Sequence, residues 1–262
     1  MKTVRNAITI LNAFSVEKPE RGLADLSRAV GIDKVIVHRQ LKTMKELDFV
    51  EQDPETRRYR LGPGVATLAA VRRAFIKPLD HAVEHLAAVH RATDETVHLA
   101  QLEGDLIVVT YARFSPQDLR VVLEVGEMIP AYCTAPGLLF LAHGGAPFRD
   151  RQLAGRLRPR AARTVTDRAS IEALLPAIRD QGHVIVDQTY SDQAKGIAAP
   201  VFGAQGQIVA AATVLGPSFR LAGDREAEAI DLIKAAAARI SRDQGYDPAR
   251  PLDTTGKEEQ HG

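Results

Sequence analysis

Residues 81–85 read His-Ala-Val-Glu-His. Two imidazoles four positions apart fall on one face of a helix, where His81 and His85 could share a zinc ion and Glu84 could act as the base of a metal-dependent hydrolase. The motif is short, and at a domain boundary solvated side chains or oligomer contacts are the expected reading. Cys133 is the single cysteine. As a thiolate it could be a nucleophile or a redox sensor, but both roles need an activating partner, and a small buried side chain also suits its apolar neighbours. A third group is cationic: Lys34, His38, Arg39 and Lys42 flank Val35 in GIDKVIVHRQLKTM, and Arg57, Arg58 and Arg60 follow in ETRRYR. Cations on a helix beside a basic hairpin suit nucleic-acid phosphates; Arg39 has the fork that reads guanine, and Val35 could meet a thymine methyl.

The chain has 262 residues, enough for two domains of ordinary size. Hydrophobic content of 45% and charged content of 26% are globular values, and no apolar run is long enough to span a membrane. The amino terminus lacks the order of a secretory signal and one cysteine cannot form an internal disulfide, so a cytoplasmic protein is expected. The net charge of +1 conceals an asymmetry: residues 1–76 carry 14 Lys+Arg against 9 Asp+Glu, whereas the remainder carries 20 against 24. A basic amino-terminal part on an acidic remainder suits a polyanion-binding module attached to something else.

The elements that must position these groups follow from periodicity. Val4, Ala7, Ile8, Leu11 and Phe14 predict one apolar face of a helix over Thr3–Val16. Leu23, Leu26, Ala29 and Val30 predict a second, stopped by Gly31; Asp33 can cap a third that runs to Leu47, with Ile36 or Val37, Leu41, Met44 and Leu47 inward. Strands over Phe49–Gln52 and Arg58–Leu61 flank an Asp53-Pro54-Glu55-Thr56 turn. Three helices and a hairpin make residues 1–63 a winged helix-turn-helix.

Gly62-Pro63-Gly64 reads as a break before an Ala-rich linker helix at 64–77, and Pro78 as the boundary of a second domain at 78–245. That domain is expected to hold a helix near 78–92, a strand pair around Gly104, a strand near 119–125 and a helix from Thr134. A helix near 170–181, strands at 183–187, 196–202 and 207–215 and a closing helix at 223–243 complete it. Strict strand-helix alternation is absent, which favours an antiparallel α+β sheet. Residues 246–262 form a polar tail, expected to be disordered.

In this order, AITILNAF, GLADLSRAVGIDKVIVHRQLKTMKELDFVEQDPETRRYRLGPGV, TDETVHLAQLEGD, PAYCTAPGLLFLA and KGIAAPVFGAQGQIVAAATVLGP resemble the IclR family of bacterial transcription regulators, from about Val4 to Ile240. The resemblance implies an amino-terminal winged helix-turn-helix that binds double-stranded DNA, joined by the linker helix to a GAF-like antiparallel α+β effector domain. It further implies no cofactor, self-association to dimers or tetramers on a pseudo-palindromic operator, and repression as the commoner role, with activation as the alternative. By family position, Cys133, Thr134, Ala135, Pro136, Gly137, Asp187, Ala194, Gly196, Ile197, Thr213 and Leu215 face the effector, and a helix amino terminus at Thr134 suits a carboxylate. The chain departs from the family's pattern at Val35 and Ile36, where small hydroxylated residues are usual. It departs again at Leu138, Gln188, Thr189 and Leu215, which replace charged or small polar residues. Fewer charges imply a more apolar effector, such as an aromatic or branched acid.

Overall fold

In a computed structural model, residues 2–15, 18–74, 79 and 81–248 are described. The chain divides into two compact units, residues 1–75 and 76–262.

In the first unit, α1 (Lys2–Leu11), α2 (Leu23–Val30) and α3 (Lys34–Glu46) precede a two-stranded antiparallel sheet of β1 (Val50–Gln52) and β2 (Tyr59–Leu61), and α4 (Pro63–Ala74) follows. Gly31 ends α2 at φ 66°, a left-handed conformation that costs a glycine little. Asp33 then opens α3, its carboxylate accepting the N–H groups of Val35 at 2.8 Å and Ile36 at 3.4 Å. The core gathers Ile10, Phe14, Leu26, Val37, Leu41, Met44, Val50 and Tyr59. Val37, Leu41 and Met44 recur every three or four residues, so one stripe of α3 is buried and the rest is free.

Three sequence expectations are corrected here. Helix α1 ends at Leu11, and its inner face is Ala7, Ile10 and Leu11, with Phe14 reaching the core from the turn beyond; Val4 and Ile8 are 69% and 52% exposed. The expected end at Val16 lies outside the described residues. On α3 the inward residue is Val37 rather than Ile36, and Leu47, 61% exposed, has left the core because the helix has already ended. Finally, Gly62-Pro63-Gly64 is no break. Pro63 starts α4, Gly62 N–H donates to the Phe49 carbonyl and Gly64 N–H to that of Asp48, both at 2.9 Å. A Cβ on Gly62 would collide with the Asp48 carbonyl.

The second unit contains α5 (Ala82–Thr93), β3 (Thr96–Glu103), β4 (Leu106–Arg113), β5 (Met128–Ile129), α6 (Ala135–His143), α7 (Ala146–Gln152) and α8 (Arg168–Gln181). It ends with β6 (Val184–Asp187), β7 (Ala194–Phe202), β8 (Ile208–Pro217) and α9 (Asp224–Asp243). The six strands form one antiparallel sheet in the order β5-β4-β3-β8-β7-β6. Successive side chains of a strand point to opposite faces, and here both faces of the central strands are covered. Val97, Leu99, Ile197, Ala199, Ala212 and Val214 pack with α5 and α9. Ala100, Ala198, Ala211 and Val186 pack with α6 and α8 on the other side.

The expected strand near 119–125 is absent. That segment runs irregularly, and the first strand after it is the two-residue β5. Its backbone is held by side chains instead: Thr96 Oγ1 donates to the Val121 carbonyl at 2.8 Å, and Arg220 Nη2 to the Leu119 carbonyl at 3.0 Å. Helix α7 was not legible in the sequence, and the expected helix near 78–92 starts only at Ala82, with residues 78 and 80 outside the described set. The same is true of residues 249–262 of the polar tail.

Because Gly62 sits against a backbone oxygen that cannot swing away, Gly62→Ala should destabilise the first unit by about 1–3 kcal/mol. Chemical denaturation followed by far-UV circular dichroism measures this; Gly104→Ala, at a hairpin turn with open space around it, is the comparison that strains φ alone.

Candidate functional site

Helix α3 divides its residues cleanly. Opposite the core stripe, Lys34, Val35, His38, Arg39 and Lys42 are all exposed, Val35 at 76%. Their spacing of one and four residues makes a single ribbon along the helix. Gln40, a polar residue at a core-facing position, is buried instead. Among the described residues no ion pair engages Lys34, Arg39 or Lys42.

The hairpin is built by Asp53, whose carboxylate accepts the N–H groups of Glu55 at 3.0 Å and Thr56 at 2.7 Å and the Thr56 hydroxyl at 2.9 Å. These bonds, first of all the one from the Thr56 N–H, hold the Asp53 carboxyl below the usual carboxylate range. Arg57 follows at φ 58°. The three wing arginines are not equivalent. Arg60 Nε pairs with Glu51 at 2.9 Å and its Nη1 lies 3.8 Å from Glu20, while Arg58 donates to the Glu20 carbonyl at 3.1 Å. Arg57 makes no ion pair among the described residues, so it is the freest to meet an external anion.

The second unit encloses a cavity of about 180 Å³ between the α6 side of its sheet and the irregular segment at 121–127. This volume exceeds the roughly 150 Å³ in which a benzene ring is held in an apolar protein core. Thr134 caps α6, accepting the Gly137 N–H at 3.2 Å and donating to the Pro130 carbonyl at 2.7 Å. Thr189 donates to the Cys133 carbonyl at 2.7 Å, tying the loop after β6 to the start of α6.

Of the residues expected to face an effector, Thr134, Ala135, Pro136, Ala194, Gly196, Thr213 and Leu215 line this cavity. Cys133, Gly137, Asp187 and Ile197 do not, each for a physical reason. Ile197 follows Gly196 on β7, and strand alternation sends it to the α5 and α9 face. Asp187 points to the same side as Ile185; it accepts from Ser218 at 2.6 Å and lies 3.3 Å from Arg163. Gly137 is a packing glycine, since a Cβ there would overlap the backbone of Ala131. Cys133 is buried, and that burial pushes its thiol up to about 12, which leaves no nucleophilic thiolate.

Lining residues that sequence reasoning missed include His98, Val121, Leu123, Glu127 and Tyr190. The available signal was His98 itself, a polar residue among apolar ones in TVHLAQL. Residues 121–127 gave no signal because they carry no regular period. Burial, reinforced by Glu127, raises the Tyr190 hydroxyl above its ordinary range, and the Arg160 guanidinium lies 5.9 Å from its ring centre.

The zinc motif is dismantled by the fold. His81 precedes α5 at φ 61°, Glu84 is exposed, and His85 Nε2 lies 2.8 Å from Asp243 Oδ2 on α9. Among the described residues, no group of three or more His, Cys, Asp or Glu could hold a metal. No helix among them is long and apolar enough to cross a membrane.

A helix-turn-helix unit followed by a separate α+β unit around a small-molecule cavity defines a class: transcriptional regulators with an effector domain. The comparisons name the family. Residues 3–54 match the IclR helix-turn-helix domain, and residues 76–242 match the bacterial transcriptional regulator IclR C-terminal domain. The chain belongs to the IclR family of bacterial transcriptional regulators. It is 31% identical over 255 residues to the HTH-type transcriptional regulator KdgR of Escherichia coli K12, covering 94% of each chain. A solved IclR transcriptional regulator from Silicibacter sp. TM1040 is 32% identical with a TM-score of 0.71, covering 95% of this chain and 99% of that one. An IclR homologue from Microbacterium hydrocarbonoxydans, solved in complex with 4-hydroxybenzoate, shares the fold at 23% identity and a TM-score of 0.64, covering 92% and 98%.

One ion pair holds the covering segment of the cavity. Glu95, 2% exposed, takes two hydrogen bonds from Arg220, one of 2.8 Å from Nη2 and a short one from Nε, and the same Nη2 holds the Leu119 carbonyl. Gly216 makes room for it, because a Cβ there would stand 2.6 Å from Glu95 Oε2. Arg220→Ala leaves a buried carboxylate without its cation and should cost about 3–5 kcal/mol in urea unfolding. Amide exchange at residues 115–123 should accelerate before that of β3; unchanged exchange there would mean that Arg220 does not hold the segment.

Proposed function

We propose that this regulator is a non-enzymatic, cytoplasmic repressor that binds a pseudo-palindromic operator as a dimer or tetramer and responds to a small carboxylic acid. The observation that carries the DNA reading is the ribbon of Lys34, Val35, His38, Arg39 and Lys42, exposed on the helix that follows the turn of the motif. In such motifs this helix enters the major groove, where its first residues reach base edges and flanking cations meet phosphates. Arg57, Arg58 and Arg60 then serve as wing contacts, Arg57 most freely. Val35 and Ile36, where hydroxylated residues are usual, give the protein its own operator preference.

The effector reading rests on the cavity. Thr134, Ala135, Pro136, Ala194, Gly196, Thr213 and Leu215 supply a mostly apolar lining of single-ring size. A family member of the same fold holds an aromatic acid, 4-hydroxybenzoate. The effector controls transcription of a small-molecule catabolic or metabolic operon by binding one of two conformational states more tightly than the other. A ligand with equal affinity for both would shift nothing.

Gel shifts with DNA flanking the protein's own gene test the first half: a specific complex should form and weaken steeply with salt as phosphate counterions are displaced. Arg39→Ala should cost about 1–3 kcal/mol of specific binding if it reads a base. The absence of any specific, salt-sensitive complex would refute the regulator's assigned interface, and higher transcription of neighbouring genes with the protein than without it would reverse the sign of regulation.

A further inference from the structure

Both polar atoms of the His98 side chain face the cavity unpartnered among the described residues. The residue is 2% exposed, and both its ring nitrogens are buried. Across the β3–β8 ladder it faces Thr213, whose hydroxyl is likewise buried without a partner among the described residues. Both residues line the cavity. Burying polar atoms unpaired is costly, and where native proteins do so the groups commonly await a ligand or water.

The charge balance of the lining narrows the ligand. Among the described lining residues there is no lysine and no arginine. The titratable groups that join His98 are Glu127, from the segment that covers the cavity, and Tyr190, from the loop after β6. Helix α6 offers Thr134, Ala135 and Pro136, and strands β7 and β8 offer Ala194, Gly196, Thr213 and Leu215, none of which titrates. Glu127 is already engaged, accepting the Glu124 N–H at 3.1 Å. Arg160 sits over the Tyr190 ring at 5.9 Å but does not line the cavity, so a carboxylate carried in meets no lining cation, and an unpaired buried charge is strongly disfavoured.

We infer that His98 is the residue that recognises the effector's carboxylate, and that it does so by taking one proton from solvent as the acid binds. This rests on the small-acid reading above. The free imidazole is neutral because burial lowers it to about 4. When the carboxylate enters, one ring nitrogen gains a proton, the imidazolium donates to a carboxylate oxygen, and the Thr213 hydroxyl donates to the same group. The acid stays ionised, so the complex is a neutral pair where two uncompensated groups stood before. Binding raises the affinity of His98 for its proton, so ligand affinity is greatest at low pH and falls as pH rises.

Titration calorimetry on the full chain, with benzoate and its neutral counterpart benzamide in buffers of different ionisation enthalpy, tests this directly. Between about pH 6 and pH 8, benzoate should bind with about one proton taken up and lose about tenfold in affinity per pH unit, and benzamide should show neither effect. His98→Gln, which can hydrogen-bond but not protonate, should abolish the uptake and flatten the pH dependence; Glu127→Gln should leave both in place. Benzoate binding without proton uptake would overturn the inference alone. So would uptake that persists in His98→Gln, placing the proton on the acid, or a pH dependence that disappears with Glu127. If neither benzoate, phenylacetate nor isovalerate binds, the small-acid reading falls and the inference falls with it. If His98→Gln does not fold, 13C NMR of carboxyl-labelled benzoate bound to the unaltered protein decides the question: an ionised carboxylate places the proton on the protein, and a protonated acid overturns the inference.

Discussion

The effector unit depends on one constraint, the alternation of side chains along strands whose two faces are both buried. In β3, β8 and β7 every residue is committed to one of two layers, and a shift of one position would exchange them. Val97, Leu99, Ile197, Ala212 and Val214 are spent on the layer under α5 and α9. Their neighbours His98, Gly196 and Thr213 therefore face α6, where the cavity lies. Core packing and cavity lining are thus interleaved residue by residue in the same three strands.

The DNA-binding unit solves an analogous problem with a helix. Val37, Leu41 and Met44 fix α3 against α1, α2 and the hairpin, and the period of the helix then leaves Lys34, Val35, His38, Arg39 and Lys42 together on the outside. The β-branched run Val35-Ile36-Val37 has no common role: Val37 is fully buried, Ile36 is half-buried and Val35 is open to solvent. Asp33 sets this phase, because the cap fixes where the helix begins and hence which way each residue points.

What was legible in the sequence follows from what has a local cause. The Gly31 stop, the Asp33 cap, the helix start at Thr134 and the strand pair around Gly104 are written in short-range chemistry, and the structure has them at those positions. The segment at 119–125 was misread because its order comes from distant partners, Thr96 and Arg220, and not from a period of its own. Four effector positions carried over from the family do not line the cavity, and Ile197 shows why: adjacency in sequence is opposition in a strand. A histidine in an apolar strand is usually satisfied by a neighbour, so the sequence gives no reason to expect that both ring nitrogens of His98 lack a partner among the described residues.

Gly62 and Gly64 give α4 a mechanical character. By bringing backbone within hydrogen-bond distance of Phe49 and Asp48, they weld the first turn of that helix to the segment joining α3 to β1. Glycine is usually a joint; here it removes one. A helix seated in this way takes its direction from the segment that follows α3, because its first turn is fixed there by backbone hydrogen bonds and not by a free joint.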